Sequence, residues 1–167
     1  MELGQNNATL VVNTYREGVA AKAGHDLVIE VERWHATVEP GGGALELSAD
    51  SRSLAIREGV RGVKPLTDKD RTEIRKNIDE KVLGGQPIAF RSRAASLDAG
   101  RLAVDGELTM AGSTRPLSAA LEAAAGRVTG TIPLRQTEWG IKPYRGLMGA
   151  LKVRDEVEIV IDAPLPE

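Results

Sequence analysis

The sequence predicts an all-β fold: an extended, eight-stranded antiparallel barrel with one capping helix. Apolar and polar residues alternate with a period of two through most of the 167 residues, as in strands with one buried face. Short glycine-containing turns separate these runs, and only residues 67–82 have the spacing of an amphipathic helix. Eight antiparallel strands close into a barrel that is filled by side chains or holds one elongated ligand. The length suits a single domain over residues 1–167.

The N-terminal half of the chain contains three predicted strands and one predicted loop. Between the first two strands, the alanine-rich segment 19–23 predicts a helical turn that ends at Gly24. Within the second strand the apolar residues stand at odd-numbered positions before Arg33 and at even-numbered positions after it. This change predicts a β-bulge that helps the sheet curl. The first strand contains Leu10 and Val12, the second covers residues 26–38, the third contains Leu45, Leu47 and Ala49, and residues 52–65 are predicted to form a loop.

The one predicted helix follows Thr67. The hydroxyl of Thr67 is placed to accept from a free amide of the first turn, and Asp70 completes a variant of the capping box. The carboxylates of Asp68 and Asp70 are expected to stabilise the positive end of the helix rather than to act as an acid–base pair. A narrow apolar stripe suits a helix laid across a barrel, and it consists of Ile74, Ile78 and Val82.

The C-terminal half of the chain contains the other five predicted strands. Residues 98–100 and 125–126 predict hairpin turns, and residues 111–113 predict the break between two further strands. Gly106 lies in the middle of one predicted apolar face. The five strands are predicted at residues 87–97, 102–110, 115–124, 128–136 and 151–163.

Composition excludes several classes of function. The 22 Lys and Arg residues nearly balance the 24 Asp and Glu residues, which argues against a general nucleic-acid binder. The absence of cysteine excludes disulfides and thiolate metal sites. No transmembrane segment and no signal peptide is predicted, so a cytoplasmic location is expected and an exported mature form is less favoured.

A search for catalytic residues finds little. The chain has two histidines, His25 and His35, and it lacks the motifs of a zinc protease, a nucleophile elbow or a phosphate-binding loop. His25 either bonds to backbone in a turn or binds a ligand head group at a barrel mouth, whereas His35 is expected to be exposed. No metal site is predicted. An enzyme that uses His25 as its acid–base group is therefore the least favoured reading.

The segment 139–150, WGIKPYRGLMGA, is the strongest candidate for a functional loop. It combines the apolar residues Trp139, Ile141, Leu147 and Met148 with interspersed glycines. Two interpretations remain open. The segment forms the rim of an apolar cavity, with Lys142 and Arg145 pairing with a ligand head group, or it plugs the end of the barrel and completes the core.

Several segments, in this order, carry a family resemblance. They are AGHDL at residues 23–27, LTDKDRTEIRKNI at 66–78, PIAFRS at 87–92, GELTMAGSTRPL at 106–117 and WGI at 139–141. Together they resemble the YceI-like family of lipocalin-like barrels. The resemblance implies an extended barrel with a helical cap and an apolar tunnel that binds long lipids, typically polyisoprenoids, and it implies no enzyme.

The resemblance implies an inward apolar set, and the segment 139–150 and His25 add further candidates. The apolar contacts implied by the resemblance are Leu27, Ile29, Val31, Trp34, Phe90, Leu108, Leu117, Ile132, Leu134 and Ile141. The segment 139–150 adds the apolar contacts Trp139, Leu147 and Met148, and the expected head-group contacts are His25, Lys142 and Arg145.

Two hypotheses follow from these observations. The first is non-catalytic binding, sequestration or transport of an elongated apolar ligand such as a polyisoprenoid, an isoprenoid quinone or a fatty-acid-like amphiphile. It needs no cofactor beyond the bound lipid, and it allows a homodimer that covers an apolar mouth. The second is a structural or protein-interaction module with a filled barrel.

Overall fold

The structure, a computed structural model, describes residues 1–39, 44–149 and 151–166 and all of their side chains except that of Leu147. The predicted turn at residues 40–43 lies outside the described residues. The described residues form two antiparallel sheets, one large and one small. The strands are β1 (Glu2–Gly4), β2 (Thr9–Thr14), β3 (Arg16–Glu17), β4 (Asp26–Val31), β5 (Trp34–Val38), β6 (Leu45–Ala49), β7 (Leu54–Val60), β8 (Ile88–Asp98), β9 (Arg101–Met110), β10 (Ser113–Ala124), β11 (Arg127–Arg135), β12 (Arg145–Gly146), β13 (Leu151–Val153) and β14 (Glu156–Pro164).

The large sheet is a curled antiparallel sheet of eleven strands. Its strand order is β1-β5-β6-β8-β9-β10-β11-β14-β2-β4-β7, and the small sheet has the order β12-β13-β3. The prediction of a mainly β fold with one α-helix is confirmed, whereas the prediction of eight strands is not. The sequence reading missed β1, took β7 for a loop, and joined β4 and β5 into one strand. The last predicted strand, residues 151–163, divides between β13 in the small sheet and β14 in the large one.

The predicted bulge after Arg33 is a corner instead. The chain runs directly from β4 to β5 and returns from β6 to β7. Yet β5 and β6 lie near one end of the strand order, and β4 and β7 lie at the other. Backbone hydrogen bonds join the two arms at the corner, because Glu32 N donates to Ser53 O and Asp50 N donates to Arg33 O, each over 2.9 Å. One long bent hairpin therefore links the two ends of the sheet and makes it curl.

Ser53 and Asp50 stabilise this corner. The hydroxyl of Ser53, which is 0 % exposed, accepts from Arg33 N over 2.9 Å and donates to Asp50 O over 2.8 Å. The Asp50 carboxylate accepts from the Arg52 amide and from the Arg33 guanidinium, and these two bonds lower the pKa of Asp50 below its ordinary value. Because a buried hydroxyl without partners is unfavourable, the corner geometry depends on these bonds.

The two edges of the large sheet are short or covered. β1 is an edge strand of three residues that pairs with β5. β7, at the other edge, packs against the helix α1 (Asp68–Asn77), and Arg75 of that helix donates to Arg52 O over 2.8 Å. Short and covered edges leave little free backbone for pairing with another chain.

The helix begins and ends where the sequence predicts. Thr67 Oγ1 accepts from the Asp70 amide over 3.1 Å, and Asp70 Oδ2 accepts from the Thr67 amide over 2.9 Å, so the capping box is present. After α1 the chain continues as a wider π-helical segment, Ile78–Val82, and stops before Gly84 and Gly85, both of positive φ. No helix in the described part of the chain is long and apolar enough to cross a bilayer.

Three tight hairpin turns share one sequence, Ala-Gly. They join β8 to β9, β9 to β10, and β10 to β11, and both residues of each turn have positive φ. Such turns match the right-handed twist of the flanking strands. The three predicted turns are thereby confirmed, at Ala99-Gly100, Ala111-Gly112 and Ala125-Gly126.

Apolar side chains gather in two clusters on the inner face of the large sheet. The larger one, here the helix-side cluster, includes Ile29, Leu108 and Trp139, and Ile74 and Ile78 of the helical segment pack against it. The smaller one, here the hairpin-side cluster, is formed by Leu121, Val128 and Ile132. The partly buried side chains that pack against both clusters are Leu117, Ile159 and Ile161.

Candidate functional site

The inner face carries most of the side chains expected to contact an apolar ligand. Eleven of the thirteen lie in the two clusters, and Met148 and Leu147 are the exceptions. Met148 points fully into solvent, and the Leu147 side chain lies outside the described residues. The buried members are Ile29, Val31, Leu108, Ile132, Leu134, Trp139 and Ile141, and the partly buried ones are Leu27, Trp34, Phe90 and Leu117.

Several members of this set are only partly buried. Leu27, Phe90 and Leu117 lie on inward-facing positions of three different strands, yet each keeps some exposure to solvent.

Trp34 contributes an unpaired polar group to this interior. Its ring packs against the helix-side cluster, and its indole Nε1 is buried without a hydrogen-bond partner. A buried donor without a partner is unfavourable and rare in native structures.

The indole nitrogen of Trp139, by contrast, has a hydrogen-bond partner. It is 1 % exposed, and its indole Nε1 donates to the Leu108 carbonyl over 2.8 Å. It ends a short 3-10 helix, Gln136–Trp139, after which Gly140 adopts the left-handed conformation with φ of 73°. Ile141 follows and is also buried. The first part of the predicted functional loop therefore packs into the helix-side cluster.

The motif at residues 113–117 helps to hold this short helix in place. Arg115 Nε donates to the Glu138 carbonyl over 3.1 Å. On the other side, Asp155 accepts from the amide of Thr137 over 2.9 Å and from its hydroxyl over 2.7 Å. Arg115, in the segment at residues 106–117, thus anchors the short helix that packs into the sheet.

Three loop regions meet at one end of the sheet, and we call them the mouth: residues 15–25, 60–66 and 140–154 without residue 150. β13 pairs with both β12 and β3, which joins the first region to the third. Gly24 lies against Leu151, and His25 contacts Gly62, which adds the second region. Lys142 and Arg145 are exposed on the third region. The later part of the predicted functional loop therefore lies at the mouth.

His25 is half-buried at the mouth. Its Nε2 donates to the Lys64 carbonyl, and its ring lies against Gly62. The carboxylate of Asp70 is close enough for His25 to contribute to the lowered pKa of Asp70, although the Thr67 amide is the main cause. The backbone bond that was one interpretation of His25 is present. A contact between His25 and a ligand head group stays a prediction.

The other candidate features lie outside the interior. Two open depressions of about 440 Å³ and 490 Å³ lie on the outer side of β5 and β6 and share His35, which is exposed as expected. Within the described ranges, no three His, Cys, Asp or Glu side chains are placed to hold a metal ion.

Two buried polar residues that stabilise the fold were not predicted from the sequence. Ser53 holds the corner, and Asp26 is a buried acid whose carboxylate accepts from the Arg16 amide over 2.8 Å and lies 3.4 Å from Arg61 Nε. Asp26 opens an apolar strand, a position where an acid needs partners when buried, so this signal was present in the sequence. Ser53 had no such signal, because the corner itself was not recognised.

Comparison with known proteins agrees with this geometry. The model of the YceI-like domain matches residues 66–165. The crystal structure of BcnA from Burkholderia cenocepacia superposes with a TM-score of 0.67 at 14 % identity, covering 93 % of this chain and 94 % of that one. The YceI protein of Campylobacter jejuni superposes with a TM-score of 0.57 at 10 % identity, covering 82 % of each chain. At these identities the two structures show the fold alone, and a search of curated protein sequences finds no match.

Proposed function

The chain belongs to the YceI-like domain family, and on this premise we propose that it binds and carries an elongated apolar ligand along the inner face of its curled sheet. The ligand class is a polyisoprenoid, an isoprenoid quinone or a fatty-acid-like amphiphile. The role is non-catalytic, and no cofactor other than the bound lipid is required.

The incompletely buried inner face is the observation that carries this proposal. Leu27, Phe90 and Leu117 belong to a continuous apolar surface, yet they remain partly exposed in the ligand-free chain. Covering them with an aliphatic chain removes apolar surface from water, which contributes about 0.8 kcal/mol for each methylene. A long chain therefore gains affinity from length without any specific polar contact.

The few polar groups available restrict where a head group binds. Trp34 Nε1 is an unpaired donor beside the helix-side cluster, and Lys142 and Arg145 are exposed cations at the mouth. A ligand with one oxygen-containing end and a long aliphatic chain fits either location. Aromatic side chains are few in the whole chain, 3 % of its residues, so an aliphatic tail suits the interior better than a flat ring.

A filled barrel that serves as an interaction module is the second candidate. The burial of Trp139 and Ile141 favours it, because both side chains occupy the end of the interior next to the mouth. In that case the apolar clusters are a core, and the exposed surfaces of the chain bind a partner protein.

A chain-length series distinguishes the two candidates. We expect prenyl alcohols of increasing length to compete with a fluorescent fatty-acid probe, and affinity to rise by more than roughly tenfold for each added isoprene unit until the chain fills the interior. Competition titrations at constant protein concentration measure this. A probe that binds weakly and shows no dependence on chain length contradicts the carrier proposal and favours the interaction module.

A further inference from the structure

The mouth carries the three most exposed large apolar side chains of the described residues. Its three regions carry Val19, Val63 and Met148, whose exposures are 97 %, 75 % and 107 %. No other large apolar side chain in the described ranges is as exposed, and the next, Leu97 at 54 %, lies in the strand before the β8–β9 turn. Single exposed apolar residues need no explanation, but three on loop regions that contact one another mark a candidate interaction surface.

The mouth is also strongly cationic, although the chain as a whole is not. Its residues include eight Lys and Arg and one Glu, whereas the rest of the chain has 14 Lys and Arg against 23 Asp and Glu. Six of these cations are exposed. Arg61 pairs with Asp26 over 3.4 Å, whereas five form no ion pair within the described residues and are available to a partner: Lys22, Lys64, Lys142, Arg145 and Arg154. The chain therefore separates its charge, with the positive end at the mouth.

Apolar tips surrounded by cations fit one type of partner in particular. We propose that the mouth docks on the surface of an anionic lipid bilayer. Apolar side chains at loop tips enter the boundary between head groups and acyl chains, and Lys and Arg contact the anionic phosphates around them. This proposal adds to the lipid-carrier proposal the surface from which the ligand is taken up. It rests on the carrier proposal only for the reason why the chain would dock.

A second copy of the chain is a less suitable partner for the same patch. A twofold dimer that covers the mouth brings the same patch of each copy together. Each patch has a large excess of positive charge, so the two copies repel one another. The expected homodimer that buries an apolar mouth is therefore disfavoured at this surface.

Vesicle co-sedimentation tests the proposal with the intact chain. We expect the protein to bind phosphatidylcholine vesicles in which about a third of the lipid is phosphatidylglycerol. Binding to pure phosphatidylcholine vesicles is expected to be at least roughly tenfold weaker. Added salt should weaken the first interaction, because it screens the exposed cations.

Matched variants separate the mouth from the rest of the surface. The variants V19S/V63S/M148S and K22Q/K64Q are each expected to weaken binding to the anionic vesicles at least roughly fivefold. The controls L97S and R93Q/R101Q remove similar groups from β8 and β9 and should bind as the unaltered chain does. All of these side chains are exposed, so thermal melting should be the same for every variant.

Two results would overturn the proposal: equal binding to neutral and anionic vesicles, or equal losses in the mouth variants and their controls. Neither result depends on what the interior holds. The prenyl-alcohol competition, done without vesicles, reports separately on the carrier proposal. A chain that fails to dock and still binds prenyl alcohols refutes docking alone.

Discussion

Ala119→Trp is expected to abolish most lipid binding while the fold is retained. Ala119 lies on the inner face of β10, beside Val104 of β9, and packs against the hairpin-side cluster. An indole at this position occupies space that an aliphatic chain would use. Displacing only two methylenes costs about 1.6 kcal/mol, so prenyl-alcohol affinity should fall by roughly tenfold or more. Competition titrations and chemical denaturation of the same samples measure the two properties.

Ala120→Trp is the matched control. Ala120 is the next residue of β10, and it is exposed on the outer side of the sheet, opposite Ala103. This variant should bind as the unaltered chain does. If Ala119→Trp instead lowers stability by about 1–3 kcal/mol, as overpacking does in a filled core, the open-interior account is wrong.

Gly106 is a poorer position for such a test, although it lies in the middle of the same face. A Cβ atom built there meets the Arg91 carbonyl and comes within 2.5 Å of the Phe90 ring. Any side chain at this position must therefore displace backbone. The effect of Gly106→Trp on ligand binding would not be separable from a change in the fold.

Trp139→Ala is expected to have the largest effect on stability. The side chain is 1 % exposed within the helix-side cluster, and its indole donates to the Leu108 carbonyl. Removal of a large buried aromatic side chain leaves a cavity and typically lowers the free energy of unfolding by about 3–5 kcal/mol. Here it also removes the hydrogen bond from the indole to the Leu108 carbonyl. Urea denaturation followed by circular dichroism measures the change.

Trp139→Phe separates packing from the hydrogen bond. Phenylalanine retains most of the apolar contact and loses the donor, so we expect a smaller loss of about 1–2 kcal/mol. A Trp139→Ala variant as stable as the unaltered chain would contradict the assignment of this residue to the core. It would instead place Trp139 at a flexible rim.

Local sequence signals predicted the local elements well. The capping box at Thr67 and Asp70, the stop at Gly84 and the three Ala-Gly turns are each determined by neighbouring residues, so a single sequence reveals them. The alternation of apolar residues likewise identified the inner faces of β9, β10 and β11. These features need no knowledge of where distant strands lie.

The corner and the edge strand depend on distant contacts. Ser53 is buried because the hairpin bends there and brings Arg33 and Asp50 to its hydroxyl, a contact that no local pattern indicates. β7 contains Arg57, Glu58 and Gly59, which suggested a loop, but Arg57 forms ion pairs with Glu30 and Glu32 across the sheet. Pairing with β4 therefore outweighs the weak strand propensity of β7.

The candidate site was predicted only in part, because some of its contacts also join residues that are distant in sequence. The alternation of residues placed Leu27 and Phe90 on the inner face, and the family resemblance placed Leu117 there; all three belong to the apolar clusters. The alternation gave no information about the loop at residues 139–149, which both packs into the interior through Trp139 and exposes Met148 at the mouth. That division depends on the bonds from Arg115 and Asp155, which are distant in sequence.

Native mass spectrometry of the purified chain, followed by solvent extraction and lipid identification, tests the central claim most directly. The account predicts a stoichiometric adduct of one long aliphatic lipid that is present under native conditions and lost on denaturation. An unadducted mass that stays unchanged after incubation with prenyl lipids of several lengths would contradict the carrier proposal. The apolar clusters would then be a filled core.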